Sequence, residues 1–302
     1  MTNPIPVSIN LRGDLEKVLD EKINEMGIKP KKGRKSHPAD ARSLFCIYLN
    51  AIRRRVEPKP RTVHFSTQLQ IQIPQQNSDY QNALNTIRSL AETGGDLNPY
   101  LSRKLSEDYN DMLMNDWKIH HFHLGTTLNV QGVIKGTKEL LFGWITDTEF
   151  YGIGIFDHNS FPEKELLEII QNDWPQLLKK TDAKSRGIID VHDPYTPEER
   201  KQLRDAGISI VTKLHDGTIT FPPGGGYATD GTSMEVSMEV MKILQPIWDL
   251  QLGIKSNPQQ YVQLIQAQTG ITLKELKIIL INTIQGFKVI EESTGSVLAK
   301  WE

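Results

Sequence analysis

Trp117-Lys118-Ile119-His120-His121-Phe122-His123-Leu124-Gly125 gathers three of the chain's eight histidines into four consecutive positions between apolar residues. Imidazole changes protonation near neutral pH, so such a cluster is a natural seat for acid/base or metal chemistry. The apolar flanks predict a strand. Side chains alternate along a strand, so His121 and His123 share one face and His120 takes the other. Residues two apart lie roughly 6.5–7 Å apart, close enough for both imidazoles to touch one reacting group.

Two further strands are predicted over 140–146 and 150–158, joined into a hairpin by the tight turn Asp147-Thr148-Glu149. In an antiparallel meander the first and third strands run the same way. Asp157 and His158 are therefore expected at the sheet edge that His123 reaches. Two imidazoles of opposite protonation state suffice to cleave RNA with no metal and no other cofactor, because the 2′-hydroxyl is an internal nucleophile. His121 and His123 are the expected acid/base pair, with His158 and His120 in support and Lys118 stabilising charge on the phosphate. The alternative is a metal held by His121, His123 and His158, with Asp157 or water completing the set. A third reading leaves the histidines as hydrogen-bonded members of a packed sheet.

These strands need a scaffold. Alternation predicts a strand over 62–73, stopped by Pro74. A helix follows over 79–93, ended by Gly94-Gly95, and a second opens at Asn98-Pro99 and continues irregularly to 114. After the three strands a helix starts near Pro162 and runs to about 178. The fold class is α+β, an antiparallel meander with a helical hairpin packed on it.

That order, carried by Trp117–Gly125 as quoted, by Leu140-Leu141-Phe142-Gly143-Trp144 and by Ile155-Phe156-Asp157-His158, resembles the RelE/ParE-type ribonuclease toxins and the wider barnase–EndoU–colicin ribonuclease fold. The resemblance covers about residues 61–178. It implies metal-independent RNA cleavage, often of messenger RNA on the ribosome, and neutralisation by a protein antitoxin. Members of that group are much shorter and commonly use Arg, Lys and Tyr, whereas histidine dominates here.

Three regions are expected: a basic helical module over 1–60, the α+β catalytic domain over 61–180, and a mainly helical region over 181–302. The first 61 residues hold 14 Lys/Arg against 7 Asp/Glu, although the whole chain is near balance at 35 against 37. A basic head points to a polyanionic partner, with RNA contacts expected from Lys29, Lys31, Lys32, Arg34 and Lys35. The arginines at 53, 54 and 55 fall in the last turn of a helix, where the dipole explains them without a ligand. Pro222-Pro223-Gly224-Gly225-Gly226 reads as a flexible loop, and less readily as a phosphate cradle before a helix start. The tail, read as helix, helix over 272–284 and hairpin, is winged-helix-like, though its second helix lacks base-reading side chains.

A single cysteine, Cys46, excludes an intrachain disulfide and a thiolate metal cage. No apolar run is of spanning length and the start lacks a signal-peptide pattern, so the expected setting is cytoplasmic with no membrane partner. The function expected is an endoribonuclease of toxin or phage-defence type, with an antitoxin or regulator as possible partner and homo-oligomerisation open. The competing classes are a non-catalytic nucleic-acid or partner-binding protein and a metal-dependent hydrolase.

Overall fold

A computed structural model describes the chain except for residues 1–4, 32–34, 131, 159–163, 284–285 and 302. The fold is α+β. It divides into two compact units, one of Met1–Leu49 with Val236–Glu302 and one of Asn50–Glu235. The expected separation of a basic head from the tail is therefore corrected: the two ends of the chain share a unit. The reason is backbone pairing, since β1 (Val7–Ile9) runs parallel to β8 (Leu276–Thr283).

In that first unit the sheet order is β1-β8-β9-β10, with β9 at Gly286–Glu291 and β10 at Val297–Trp301. Helix α1 (Leu11–Glu25) buries Leu11, Leu15, Leu19 and Ile23, one side chain per turn. The tail helix expected over 272–284 is instead β8, where Leu276, Ile278 and Leu280 are buried in strict alternation. Leu and Ile at every second or third position fit either period. The β-branched content and the antiparallel partner β9 decide for the strand. The winged-helix-like reading of the tail falls with it.

The second unit carries the histidines. Its sheet order is β2-β5-β4-β3, from β2 (Thr62–Phe65), β3 (Ile119–His123), β4 (Glu139–Ile145) and β5 (Glu149–Asp157). The three later strands form the expected antiparallel meander, and β2 adds to β5 in parallel. One face packs Leu140, Phe142, Trp144 and Tyr151 against Leu166, Leu167 and Ile170 of α6 (Glu165–Asp173). The other packs Phe122, Leu141, Phe150 and Ile155 against Ala83, Leu84 and Ile87 of α4 (Ser78–Thr93). The register shifts between Phe142 and Gly143, leaving Ile153 as an extra residue in β5. This bulge lets Tyr151, Ile153 and Phe156 all reach the α6 side despite their spacing.

Two expected elements differ. The strand over 62–73 stops at Phe65, and α3 (Thr67–Gln72) follows. Ser66 makes that turn, because its hydroxyl accepts the Leu69 N–H and donates to Ile153 O. The helix expected from Asn98 to 114 is broken into 3-10 turns at Asn98–Tyr100 and Arg103–Ser106, then α5 (Met112–Trp117). Backbone carbonyls freed there are taken by arginines. Arg54 donates to Lys104 O and Glu107 O, and Arg55 to Leu105 O. These arginines hold the segment down and do more than end a helix.

The glycine loop is neither flexible nor a phosphate cradle. Gly224 N–H donates to Asp116 O at 2.8 Å, Gly226 N–H to Asn115 O at 2.9 Å and Gly225 N–H to Pro222 O at 2.9 Å. A Cβ at Gly224 would sit 2.4 Å from Met114 O and 2.5 Å from Asn115 O. Gly224→Ala is therefore expected to lower stability by about 1–3 kcal/mol, read as a reduced urea midpoint at unchanged slope.

Candidate active site

Helix α5 sets up the histidine strand. Asp111 caps it by accepting the Met114 N–H, and Lys118 ends it in the left-handed conformation at φ 60. β3 begins at the next residue. His121 lies opposite Phe142 and His123 opposite Leu140, so both side chains take the α6 face of the sheet. His120 lies opposite Gly143, on the other face, and its ring stacks on Phe122 at 6.2 Å between centroids.

His158 follows β5 directly and its side chain is exposed. Its ring centroid is 6.5 Å from that of His121 and 6.1 Å from that of His123. Three imidazoles, two on β3 and one just past β5, thus meet at one sheet edge. Among the described residues no group of three His, Cys, Asp or Glu side chains is arranged to hold a metal ion, the set His121, His123, His158 and Asp157 included.

Burial makes the three rings unequal. Removal from water disfavours imidazolium, and His121 and His123 are each only 8% exposed. Burial first, then the neighbouring His121 and His158, pulls the pKa of His123 down to about 4. Burial also lowers that of His121, reinforced by His158 and Lys104 and opposed by Asp111. Both rings are neutral at pH 7. The tautomer of His123 follows from one contact: the Thr137 amide N–H donates to its Nδ1 at 3.1 Å. Nδ1 is therefore an acceptor, and the proton of the neutral ring sits on Nε2.

His120 does not belong with the other three. Neither of its ring nitrogens has a hydrogen-bond partner among the described residues, and burial with the adjacent His121 lowers its pKa to about 3. It lines, with His121, Tyr109 and Asp111, a cavity of about 20 Å³, room for a single water.

Lys118 lines a different cavity, at the start of the strand. Three residues of extended chain separate it from His121 by about 10 Å. Arg103 and Lys104 were not expected at the site, yet their positive charges act on His123 and His121 respectively. Their signal is Ser102-Arg103-Lys104, a capping serine followed by a basic pair, in the polar run that interrupts the expected helix. Of the basic loop, Lys29, Lys31 and Lys35 are exposed and belong to the first unit, while Lys32 and Arg34 lie outside the described residues.

A second imidazole pairing escaped the sequence reading. His64 Nε2 meets Glu149 Oε2 at 2.6 Å and its ring stacks on Tyr151 at 5.1 Å. The signal, a lone His in one strand and a Glu 85 positions later, is visible only once β2 lies beside β5.

Comparison with protein families, with curated proteins and with solved structures finds no match. Among the described residues no helix is long and apolar enough to cross a membrane.

The depressed histidine pKa values fix a pH dependence. His120 and His123 bind protons near 6.5 when unfolded but only near 3 and 4 when folded. Stability is therefore full above about pH 6.5 and declines as pH falls towards 4. In an NMR titration the ring C–H resonances of both residues are expected to show no inflection above about pH 5.

Proposed function

We propose that the chain is a metal-independent endoribonuclease in which His121 is the general base and His158 the general acid. The observation that carries this reading is the convergence of His158 on His121 and His123, at 6.5 and 6.1 Å between ring centroids. Burial keeps His121 neutral and able to accept the proton of a 2′-hydroxyl. His158 is exposed, so solvent can reload it with the proton it delivers to the leaving 5′-oxygen. His123, with Nδ1 held by an amide, keeps Nε2–H available to donate to a phosphoryl oxygen. Arg103 and Lys104 add positive charge where negative charge develops.

RNA is favoured as substrate because it carries its own nucleophile, so the two proton transfers suffice. A toxin or phage-defence role in the cytoplasm, with a protein antitoxin or regulator as partner, follows the pattern of elements over 61–178. The exposed Lys29, Lys31 and Lys35 would add salt-sensitive affinity for RNA.

The test is incubation of the purified chain with single-stranded and structured RNA in excess chelator. Cleavage is expected to persist, and to fall about 10²–10⁴-fold in His121→Ala and in His158→Ala. His64→Ala is expected to cleave at the parental rate. Cleavage abolished by chelator transfers the histidines to a metal-dependent hydrolase. Binding without cleavage of any RNA leaves a non-catalytic binding protein.

A further inference from the structure

The second unit contains a cavity of about 660 Å³ to which none of the acid/base histidines contributes. That volume is in the range of small-molecule sites, which run from roughly 300 to 1,000 Å³. Ile52, Val56 and Ile145 supply apolar wall, and Arg55, Arg61 and Lys118 supply positive charge. Glu57 and Asp147 also reach it, but Lys59 lies between them, its Nζ 2.9 Å from one carboxylate and 3.0 Å from the other. The acids are thereby engaged with a lysine outside the cavity lining.

The three lining cations are not engaged in this way. Arg55 donates to Ala51 O and Leu105 O, and Arg61 to Thr146 O, Glu57 O and Lys59 O. Neither forms an ion pair with a carboxylate among the described residues. Backbone carbonyls orient both guanidinium groups, Glu57 and Asp147 act on Arg61 only through space, and Arg61 is only 6% exposed. The Lys118 ammonium has no hydrogen bond or ion pair among the described residues.

Lys118 is also the one non-glycine among the described residues with positive φ. Elsewhere this chain ends helices in that conformation with glycine, Gly94 after α4 and Gly270 after α9 (Pro258–Thr269). Glycine or asparagine would serve the backbone better at 118. A lysine retained at such a position points to a use for its side chain.

We propose that this cavity binds a small organic anion, its oxyanion head on Lys118 and Arg61 and its apolar body against Ile52, Val56 and Ile145. The head is a carboxylate or a phosphate ester, both of which suit an arginine fork. The site is separate from the acid/base histidines, and its occupancy is read by binding with no turnover.

The experiment is calorimetric titration of the full chain with benzoate, with phenyl phosphate and with phenol as the neutral control. At least one anion is expected to bind with a dissociation constant of about 1 mM or tighter, and phenol not to bind measurably. Benzoate alone assigns a carboxylate ligand, phenyl phosphate alone a phosphate ester, and both an oxyanion site without that distinction. Lys118→Asn, which suits the left-handed backbone, is expected to raise the thermal midpoint and weaken anion binding about ten- to hundredfold. Lys118→Gly repeats the measurement with a second compatible residue. Failure of both anions to bind, phenol binding as tightly as they do, or parental affinity in both Lys118 variants overturns the proposal.

Discussion

The end of α5 is the fixed point of the second unit. Arg204, from α7 (Pro197–Asp205), donates to Asp116 Oδ2 at 3.0 Å and lies over the Trp117 ring at 4.7 Å. Both charged side chains are buried. Arg53 donates to Asn115 Oδ1 and to Gly224 O, and the amides of Gly224 and Gly226 close on Asp116 O and Asn115 O. A buried ion pair contributes little net stability, because desolvation of both charges offsets their attraction. Removing one partner alone costs about 3–5 kcal/mol, because a charge is then left buried without compensation. What the pair contributes is direction. It sets where the helix stops, and so the register in which β3 meets β4. A slip of one residue would exchange His121 and His123 for His120 on the α6 face.

Burial then sorts side chains that the sequence presents as equals. Four imidazoles lie on β3 or just past the end of β5. His120 keeps its ring nitrogens from water with no hydrogen-bond partner among the described residues, His123 is locked by an amide, His121 is buried beside an acid, and His158 faces water. A base needs a neutral ring and an acid needs access to a proton. β3 supplies the buried rings and the residue after β5 the exposed one, while Asp111 beside His121 opposes the effect of its burial.

The sequence showed the meander because its strands are short, apolar and separated by turns, and because hairpin geometry follows from a short connection. It showed that His158 would approach His123 for the same topological reason. It misled where one pattern serves two periods. Gln68, Gln70 and Gln72 alternate with Leu69 and Ile71 as in a strand, yet Ser66 caps a helix there. Residues 276–283 carry Ile and Leu that suit a helix stripe, yet they pair with β9. Buried charge was hidden for another reason. Arg200 and Arg204 sit in a strongly polar nine-residue helix, and nothing in its sequence shows that both are buried against Asp193 and Asp116. Those partners lie 7 and 88 positions away, and the longer pairing depends on tertiary structure alone.

The two ends of β3 are chemically independent. Five residues of strand place Lys118 about 16 Å from His123, well beyond the screening length of about 8 Å at physiological salt. Lys118 therefore cannot steady charge that develops between His123 and His158, whatever reaction occurs there. Arg103 and Lys104 fit that task better, because their charges already act on His123 and His121. The charge of Lys118 acts on His120 but is not among those that shift His121 or His123, so this lysine needs another explanation. Its strained backbone, its ammonium without a hydrogen bond or ion pair among the described residues and two carbonyl-oriented arginines beside the same cavity support the anion site proposed at the start of the strand, apart from the proton chemistry proposed at its far end.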